Sequence, residues 1–600
     1  MKQTQTLPNI LTRSRIWYVL ILLLSSLIMV RAFQLQIIQG EYYTSAAFAG
    51  QFREYEIPAS RGVIEAYSGD NVVPIVLNED RFTLFVDPQN IEDAEAAADA
   101  LIDVIPTLER DEVMSRMNED NRFQVLRKKL TKPVADTIRE KELPGVGLRE
   151  QPQRTYPQGK LAAHILGFVN DEGDGVYGVE QALDDALRGK PGQLKAITDA
   201  RGIPLAANQE NTVIDPIQGQ RTRLTIDVNL QQIVEDALEQ GLERARSDAG
   251  SAIVMDASNG KVVALANYPT YDPARFFEIE GDDVELFQNK AVAAPLEIGS
   301  IMKPFTMAAA LNEGVIGRET TYHDPDQFTV DGATIRNVEE SSGVGTRSME
   351  DILRMSLNTG ATWLLKQMGG GDINERARVT WHEYMTDKYR FDQELGIQQG
   401  YESAGNIPSP TDGYGLNIQF ANTAFGQGMT TTPLHVATAL SSVVNGGTYH
   451  QPSLIDGHYD GAEFRQADVT VLNDSVISQR ASSDVRELME GAFAQNYPVY
   501  GMQQLREGYA IGGKTGTAEV PNPEGGYYDD RYNGTFMGYV SGAGSTYVIV
   551  VKVEEPRIGG YAGSTAAGPL FVDIAESLID AYGVQPALAF ATIDEGEIHD

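Results

Sequence analysis

One uncharged apolar run near the N-terminus constrains the architecture of this chain more than any other feature. Ile16 to Val30 reads Ile-Trp-Tyr-Val-Leu-Ile-Leu-Leu-Leu-Ser-Ser-Leu-Ile-Met-Val between Arg15 and Arg31, and no other segment of the 600 residues matches it. Its fifteen residues fall short of the roughly 20 that cross a bilayer. Arginine side chains can reach back to the interface, however, and Ala32-Phe33 extends the apolar stretch to residue 33. Lys2, Arg13 and Arg15 precede the run with no acidic residue among them, which leaves residues 1–15 as a cytoplasmic tail and everything after the span outside. The rival reading is a cleaved signal peptide with Val30-Arg31-Ala32 at the processing site, although the apolar core of such peptides usually runs only about 7–15 residues. Anchoring is the expectation.

The chain beyond the span is too long for one ordinary domain, and 42% apolar content is ample for packed cores, so two or three domains are expected. A net charge of −36 argues against nucleic acid as a partner, because phosphates would be repelled. The chain has no cysteine, which removes disulfides and thiol chemistry.

Three short motifs carry the chemistry: Ser300-Ile301-Met302-Lys303, Ser356-Leu357-Asn358 and Lys514-Thr515-Gly516-Thr517. A serine hydroxyl is a poor nucleophile at neutral pH without a base in reach, and a lysine three residues on along a helix shares its face. Pro304 follows Lys303 at once; proline is tolerated in the first turn of a helix, so Ser300 is expected at a helix N-terminus beside free N–H groups. Singly these motifs are weak. An S-x-x-K arises about once or twice by chance in such a chain, and the three together in this order in fewer than about 1 in 100 chains.

The trio resembles the serine penicillin-recognising enzymes, the penicillin-binding proteins and serine β-lactamases, whose signature is S-x-x-K, S-x-N and K-T-G. Residues 34–220 narrow the resemblance. Tyr55 to Ile64 (Tyr-Glu-Ile-Pro-Ala-Ser-Arg-Gly-Val-Ile) reads as extended; Ile91–Ile105, Phe123–Leu130 and Pro133–Arg139 read as amphipathic helical segments. Arg154-Thr155-Tyr156-Pro157-Gln158-Gly159 and Gly175-Val176-Tyr177-Gly178-Val179-Glu180 come next. Taken singly, their Arg, Glu and Tyr side chains read as surface or interdomain contacts. In order and spacing these segments resemble the N-terminal domain of class B penicillin-binding proteins, the monofunctional transpeptidases. One departure stands out: after Arg61-Gly62-Val63-Ile64 the family continues with x-Asp-Arg-x-Gly, whereas here Glu65-Ala66-Tyr67-Ser68-Gly69 appears, which puts the usual charge contacts at that junction in doubt.

The transpeptidase region is expected over 221–583, with 584–600 a solvated acidic tail. Leu230, Ile233, Val234, Ala237 and Leu238 form an apolar face at helical spacing; Ser251–Met255 and Lys261–Ala266 read as strands joined by a hairpin at Asn259-Gly260. Tyr547–Val553 reads as a later strand and Thr565–Tyr582 as a closing helix. The implied fold is multidomain: one N-terminal transmembrane helix, an elongated α+β non-catalytic dimerisation or pedestal domain, and a penicillin-recognising domain with an antiparallel sheet flanked by helices.

The resemblance implies a role for each motif residue. Ser300 attacks the carbonyl of the penultimate D-alanine of a peptidoglycan stem peptide, and Lys303, kept neutral by burial and nearby positive charge, takes its proton. Ser356 relays a proton to the leaving D-alanine, and Asn358 orients Lys303 and the substrate amide. Lys514, Thr515 and Thr517 face the substrate carboxylate, Gly516 leaves room for the substrate backbone, and the N–H groups of Ser300 and Thr517 form the oxyanion hole. No cofactor and no metal are expected: Trp381-His382-Glu383-Tyr384-Met385-Thr386 begins like a zinc-protease H-E-x-x-H, lacks the second histidine and reads as surface helix. Gly426 to Thr432 lacks the ending of a phosphate loop and resembles the family's structural turn before Pro433. The implied partners are nascent glycan strands with their stem peptides, β-lactam antibiotics as covalent inhibitors and, since no second catalytic region is visible, a polytopic membrane glycosyltransferase. The short interval from Gly167 to Glu180 favours a septal over an elongation role. A β-lactamase or carboxypeptidase and a non-catalytic penicillin sensor are the rival readings; no E-x-x-L-N segment of the deacylating kind is found.

Overall fold

The structure is a computed structural model that describes residues 9–43, 52–197, 212–337, 343–522 and 525–587. Residues 1–8 of the expected cytoplasmic tail and 588–600 of the acidic tail lie outside the described residues. The chain divides into two compact units, residues 1–60 with 188–219, and 61–187 with 220–600.

In the first unit a helix over Asn9–Phe33 runs on into a π-helical turn, Gln34–Ile38. Its apolar stretch, Ser14–Ile38, has 25 residues and contains an 18-residue window with a mean hydropathy of 2.2 and no buried residue. At ~1.5 Å per residue it spans roughly 37 Å, more than the ~30 Å of a bilayer core. The unit also holds a three-stranded antiparallel sheet with Gly192–Ile197 between Phe52–Ile57 and Thr212–Ile214.

The second unit begins with the strand Ile64–Ser68, which folds back through the long strand Asn71–Val86 and lies parallel to Thr222–Asp227. One sheet therefore joins residues on both sides of position 220. Phe82, Leu84 and Val86 pack against Ala98, Leu101, Val113, Met117 and Ile138 of the neighbouring helices. Ala94–Val104 and Lys132–Glu140 are helices as expected, the first capped by the Asp93 carboxylate accepting from Ala96 N–H. Phe123–Leu130 is not a helix. Gln124–Leu130 is a strand paired to Asn71–Val86, with Phe82 opposite Leu130 and Leu84 opposite Arg127. Its buried residues, Leu126 and Leu130, are four apart, a spacing that fits either period, and strand pairing decided the outcome.

The junction with the departing sequence is held by other residues than the family's usual pair. Glu65 accepts from Arg221 Nε at 2.7 Å. Tyr67 donates to Asp456 Oδ2 at 2.6 Å, and Asp456 Oδ1 meets Lys261 Nζ at 2.6 Å. Of the Arg, Glu and Tyr residues of the neighbouring motifs, expected in surface or interdomain contacts, Arg154, Tyr156 and Glu180 are buried and Tyr177 is half-buried; Glu180 is fully enclosed and bonds both Arg61 Nε and Arg154 Nε at 2.6 Å.

The transpeptidase region is built on five antiparallel strands, labelled within this sheet β1 (Ala249–Asp256), β2 (Val262–Tyr268), β3 (Ala510–Pro521), β4 (Tyr527–Ser541) and β5 (Thr546–Glu554), in the order β2-β1-β5-β4-β3. β1 and β2 form the expected hairpin, but only Gly260 has positive φ, so the connection is a longer loop organised by Asp256, which accepts from Ser258 and Asn259. Two helices, Val228–Ala245 and Gly568–Asp580, cover one face and share a core with Val254, Phe536, Ile549 and Val551. On the other face the short central helix Lys303–Asn312 is buried at every position from Lys303 to Leu311. The helix Glu375–Glu383 that carries His382 is only half a surface helix, since Trp381 is buried, as are Tyr384 and Met385 in the π turn that follows. Ala377 and Trp381, four residues apart, form the buried stripe of an otherwise polar helix.

Candidate active site

Ser300 lies in a 3-10 turn, Gly299–Met302, that runs directly into the Lys303–Asn312 helix with Pro304 in its first turn. The turn is seated backbone against backbone. Gly299 has φ +60°, and a Cβ there would stand 2.6 Å from Thr517 O; Gly426 has φ +88°, and a Cβ there would stand 2.0 Å from Gly299 O. Gly299 N–H donates to Gly426 O at 3.1 Å. The Gly426–Thr432 turn therefore fixes the segment that carries Ser300.

Lys303 is completely buried, and its Nζ lies 2.8 Å from Ser300 Oγ, 2.6 Å from Ser356 O, 3.0 Å from Ser356 Oγ and 2.9 Å from Asn358 Oδ1. Burial first, and then the charge of Lys514, hold the Lys303 amine well below the usual lysine range. A neutral amine has a lone pair for the Ser300 proton and two N–H bonds, which the Ser356 and Asn358 carbonyl oxygens can accept. Ser356 sits at φ +56°, a left-handed conformation rare for serine that costs on the order of 1–3 kcal/mol. It closes the helix Met349–Arg354, Leu357 N–H donating to Ile352 O at 3.0 Å, and turns the carbonyl and hydroxyl of Ser356 toward Lys303 together. Asn358 Nδ2 donates to Arg336 O at 3.1 Å, which fixes its amide with the oxygen toward Lys303.

Lys514, Thr515, Gly516 and Thr517 lie on β3, the sheet's edge strand. Lys514 is buried; its Nζ donates to Thr515 O at 2.8 Å, and burial brings its pKa down to about 7. Thr515 and Thr517 are half-buried on one face of the strand. At Gly516 a Cβ would stand 2.2 Å from Thr535 Oγ1 and 2.7 Å from Ile298 O, so the missing side chain also lets β3 approach the Ser300 segment. Thr517 Oγ1 accepts from Gly563 N–H at 3.1 Å, leaving its hydroxyl proton free to donate. Ser300 N–H is in the first turn of its helix, where N–H groups have no intrahelical acceptor.

Sequence reasoning missed several residues here. Asn337 Oδ1 accepts from Thr359 N–H and Oγ1 at 3.1 and 2.9 Å, bracing the helix that starts at Asn358. Glu297, three residues before Ser300, accepts from Tyr527 at 2.7 Å and from Gly428 N–H at 3.0 Å, and burial raises its pKa. Only the glycines around residue 426 hinted at this packing. Among the described residues no group of three or more His, Asp or Glu could hold a metal ion.

Two family models match the chain: the penicillin binding protein transpeptidase domain over residues 250–576 and the penicillin-binding protein dimerisation domain over residues 56–224. Stage V sporulation protein D of Bacillus subtilis is 28% identical over 96% of this chain and 87% of its own length. Peptidoglycan D,D-transpeptidase FtsI of Escherichia coli is 26% identical over 96% and 93%, and penicillin-binding protein PbpB of Mycolicibacterium smegmatis 30% over 79% and 71%. The fold matches crystal structures of penicillin binding protein 2X from Streptococcus thermophilus, with a TM-score of 0.71 at 20% identity over 88% of this chain and 81% of that one. It also matches penicillin binding protein 3 from Mycobacterium tuberculosis, with 0.66 at 24% identity over 89% and 98%. Matched in both regions and along nearly its whole length, this chain belongs to the penicillin-binding proteins, in the class B branch that joins a dimerisation domain to a transpeptidase domain.

Proposed function

We propose that the chain is a peptidoglycan D,D-transpeptidase in which Ser300 is the nucleophile and Lys303 its general base. The observation that carries this reading is the buried, proton-poor Lys303 amine 2.8 Å from Ser300 Oγ. Ser300 Oγ adds to the carbonyl carbon of the penultimate D-alanine as its proton passes to Lys303 Nζ. The oxyanion that forms is held by the N–H groups of Ser300 and Thr517. The bond to the terminal D-alanine then breaks; its nitrogen takes a proton from Ser356, which Lys303 replenishes. An acceptor amine attacks the acyl-serine, gives up a proton along the same path in reverse, and leaves with the new amide bond as Ser300 recovers its hydroxyl. Charged Lys514 and the Thr515 and Thr517 hydroxyls receive the substrate carboxylate, and Asn358 holds Lys303 in place and meets the substrate amide.

The domain limits that accompany this reading are a cytoplasmic tail at 1–15, an anchor at 16–33, a dimerisation or pedestal domain at 34–220, a transpeptidase domain at 221–583 and an acidic tail at 584–600. The 25-residue apolar helix and the basic residues before it support a single-pass anchor with the catalytic domain outside. The likeness to FtsI, whose name is that of a D,D-transpeptidase, supports wall synthesis, and the short Gly167–Glu180 interval supports the septum. Glycan strands would come from a polytopic membrane glycosyltransferase acting beside this chain, reached through residues 16–30. Replacing residues 16–30 with an unrelated apolar helix should keep anchoring and penicillin labelling but weaken co-purification of the polymerase and impair growth. Growth and co-purification equal to the parent would exclude the transmembrane contact. The enzymatic reading is tested by following a labelled penicillin adduct over time: a stable adduct supports a transpeptidase, rapid loss a β-lactamase, and no adduct a non-catalytic wall scaffold; a carboxypeptidase is distinguished by a product assay.

A further inference from the structure

The residues just before Ser300 lie between two walls. On one side Leu296 exchanges backbone hydrogen bonds with Thr431, at 3.0 Å in both directions, and Gly299 N–H donates to Gly426 O at 3.1 Å. On the other side Ile298 O accepts from Thr535 Oγ1 of β4 at 3.3 Å, and Gly299 packs against Thr517 of β3. One side chain of this segment reaches both walls. Glu297 Oε1 accepts from Gly428 N–H, in the turn, at 3.0 Å and from the Tyr527 hydroxyl, at the start of β4, at 2.7 Å.

The Tyr527 tie falls where the hairpin ladder is weakest. β3 and β4 pair in register from Ala510 opposite Ser541 to Glu519 opposite Tyr532, then shift and close on Pro521 opposite Tyr527. Proline has no N–H to give that last pair, and Tyr527 is itself 40% exposed. The carboxylate that receives its hydroxyl is placed unfavourably, because Glu297 Oε2 is buried with no hydrogen-bond partner among the described residues. An apolar side chain would fill the same space without that cost. What the carboxylate adds is an acceptor shared by the two walls.

We infer that Glu297 is a positioning residue for acylation, clamping the Gly426–Thr432 turn and the β3–β4 hairpin across the segment that carries Ser300, with Tyr527 as its partner. The inference rests on the reading of Ser300 as the acylated nucleophile. Glu297 is not among the groups bonded to Lys303 Nζ. It acts by fixing where Ser300 Oγ and Ser300 N–H stand relative to Thr517, whose N–H is the other proposed oxyanion donor. Loss of the clamp therefore slows the covalent step and leaves the first, noncovalent encounter with penicillin unchanged.

Stopped-flow acylation of the full-length chain in detergent, over a series of concentrations of a labelled penicillin, separates the acylation rate constant from the dissociation constant of the initial complex. Glu297→Ala should lower the rate constant roughly 10-fold or more and Tyr527→Phe about 3-fold or more, each with an initial dissociation constant within about 2-fold of the parent's. Glu297→Gln keeps an acceptor oxygen in place and should acylate within about 2-fold of the parent. Adding Tyr527→Phe to Glu297→Ala should cost less than about 2-fold more, because the hydroxyl has already lost its acceptor. Tyr527→Phe and Glu297→Gln carry the test if the thermal transition shows that the alanine variant is unfolded. A parent-like rate constant in Tyr527→Phe or in folded Glu297→Ala, a glutamine variant slowed roughly 10-fold, or the full Tyr527→Phe loss repeated in the alanine background would overturn the clamp and leave the Ser300 assignment standing. A parent that forms no penicillin adduct on Ser300 would overturn both.

Discussion

Lys514 lowers the proton affinity of Lys303 although the two lysines come from different elements, an edge strand and the start of a buried helix. Burial depresses both, and the charge of Lys514 adds to the effect on Lys303. The proposed mechanism uses the two in opposite states: Lys303 neutral to accept a proton, Lys514 charged to attract a carboxylate.

The pH profile of acylation should show this division. As pH rises, kcat/KM increases while Lys303 loses its proton, then falls above about 7, where Lys514 loses its own. Lys514→Arg keeps the charge at all working pH, so the descending limb should move up by more than one pH unit, on the order of the gap between lysine and arginine. A descending limb that stays near neutrality in the arginine variant would show that Lys514 is not the group that titrates there.

Gly426→Ala should disturb Ser300 without touching it. The added Cβ would meet Gly299 O at 2.0 Å at a backbone angle, φ +88°, that alanine resists. Acylation should fall by roughly 10²-fold, since displacements of about 1 Å cost that much, and stopped-flow acylation by penicillin measures it. Gly428→Ala, at a position with open space but a similar φ of +73°, should cost much less.

Much of the catalytic cluster was legible in the sequence because it depends on local spacing. Ser300 and Lys303 are a helical turn apart, and the first two motifs carry all the side chains hydrogen-bonded to Lys303 Nζ. The left-handed Ser356, the Asn337 brace and the seat of Gly299 against Gly426 were not legible, because each depends on chain segments brought together by the tertiary fold. The close approach of Gly516 to Thr535 and Ile298 was not legible for the same reason: spacing shows that a side chain is missing but not which neighbour packs against it. The strand at Gln124–Leu130 was hidden because spacing of four residues suits both periods. Buried Arg154 and Glu180 looked like surface charges because their partners lie far along the chain.

Glu180→Ala should destabilise strongly. It would leave Arg154, whose side chain is 4% exposed, without its carboxylate and Arg61 with Asp184 alone, at 2.7 Å, and uncompensated buried charge costs about 3–5 kcal/mol. Thermal unfolding of the parent and variant ectodomains measures the loss; a shift within error would mean that the arginines find other partners. Penicillin labelling below the transition should survive, since Glu180 touches none of the residues around Lys303 Nζ.

Acid should weaken the fold through two buried imidazoles. Burial brings His164 and His435 to about 4, below the ~6.5 of an unfolded histidine. Between those values the unfolded chain binds more protons than the folded one, so stability is lost as pH falls from about 6.5 to 4, by on the order of 3 kcal/mol for each histidine. Unfolding curves of parent and His435→Gln at pH 7 and pH 5 should show a smaller acid-induced loss in the variant; an equal loss would assign the acid sensitivity to other groups.

The whole mechanism depends on acylation of the Ser300 hydroxyl, activated by Lys303. Intact-protein mass spectrometry after incubation with penicillin decides the point, with peptide mapping of the adduct and the thermal transition measured on the same samples. The parent should gain one penicillin mass on Ser300. Lys303→Ala should acylate roughly 10²-fold or more slowly, and Ser300→Ala should gain nothing while its transition stays close to the parent's. An adduct on Ser300→Ala, or on any residue of the parent other than Ser300, would contradict this mechanism.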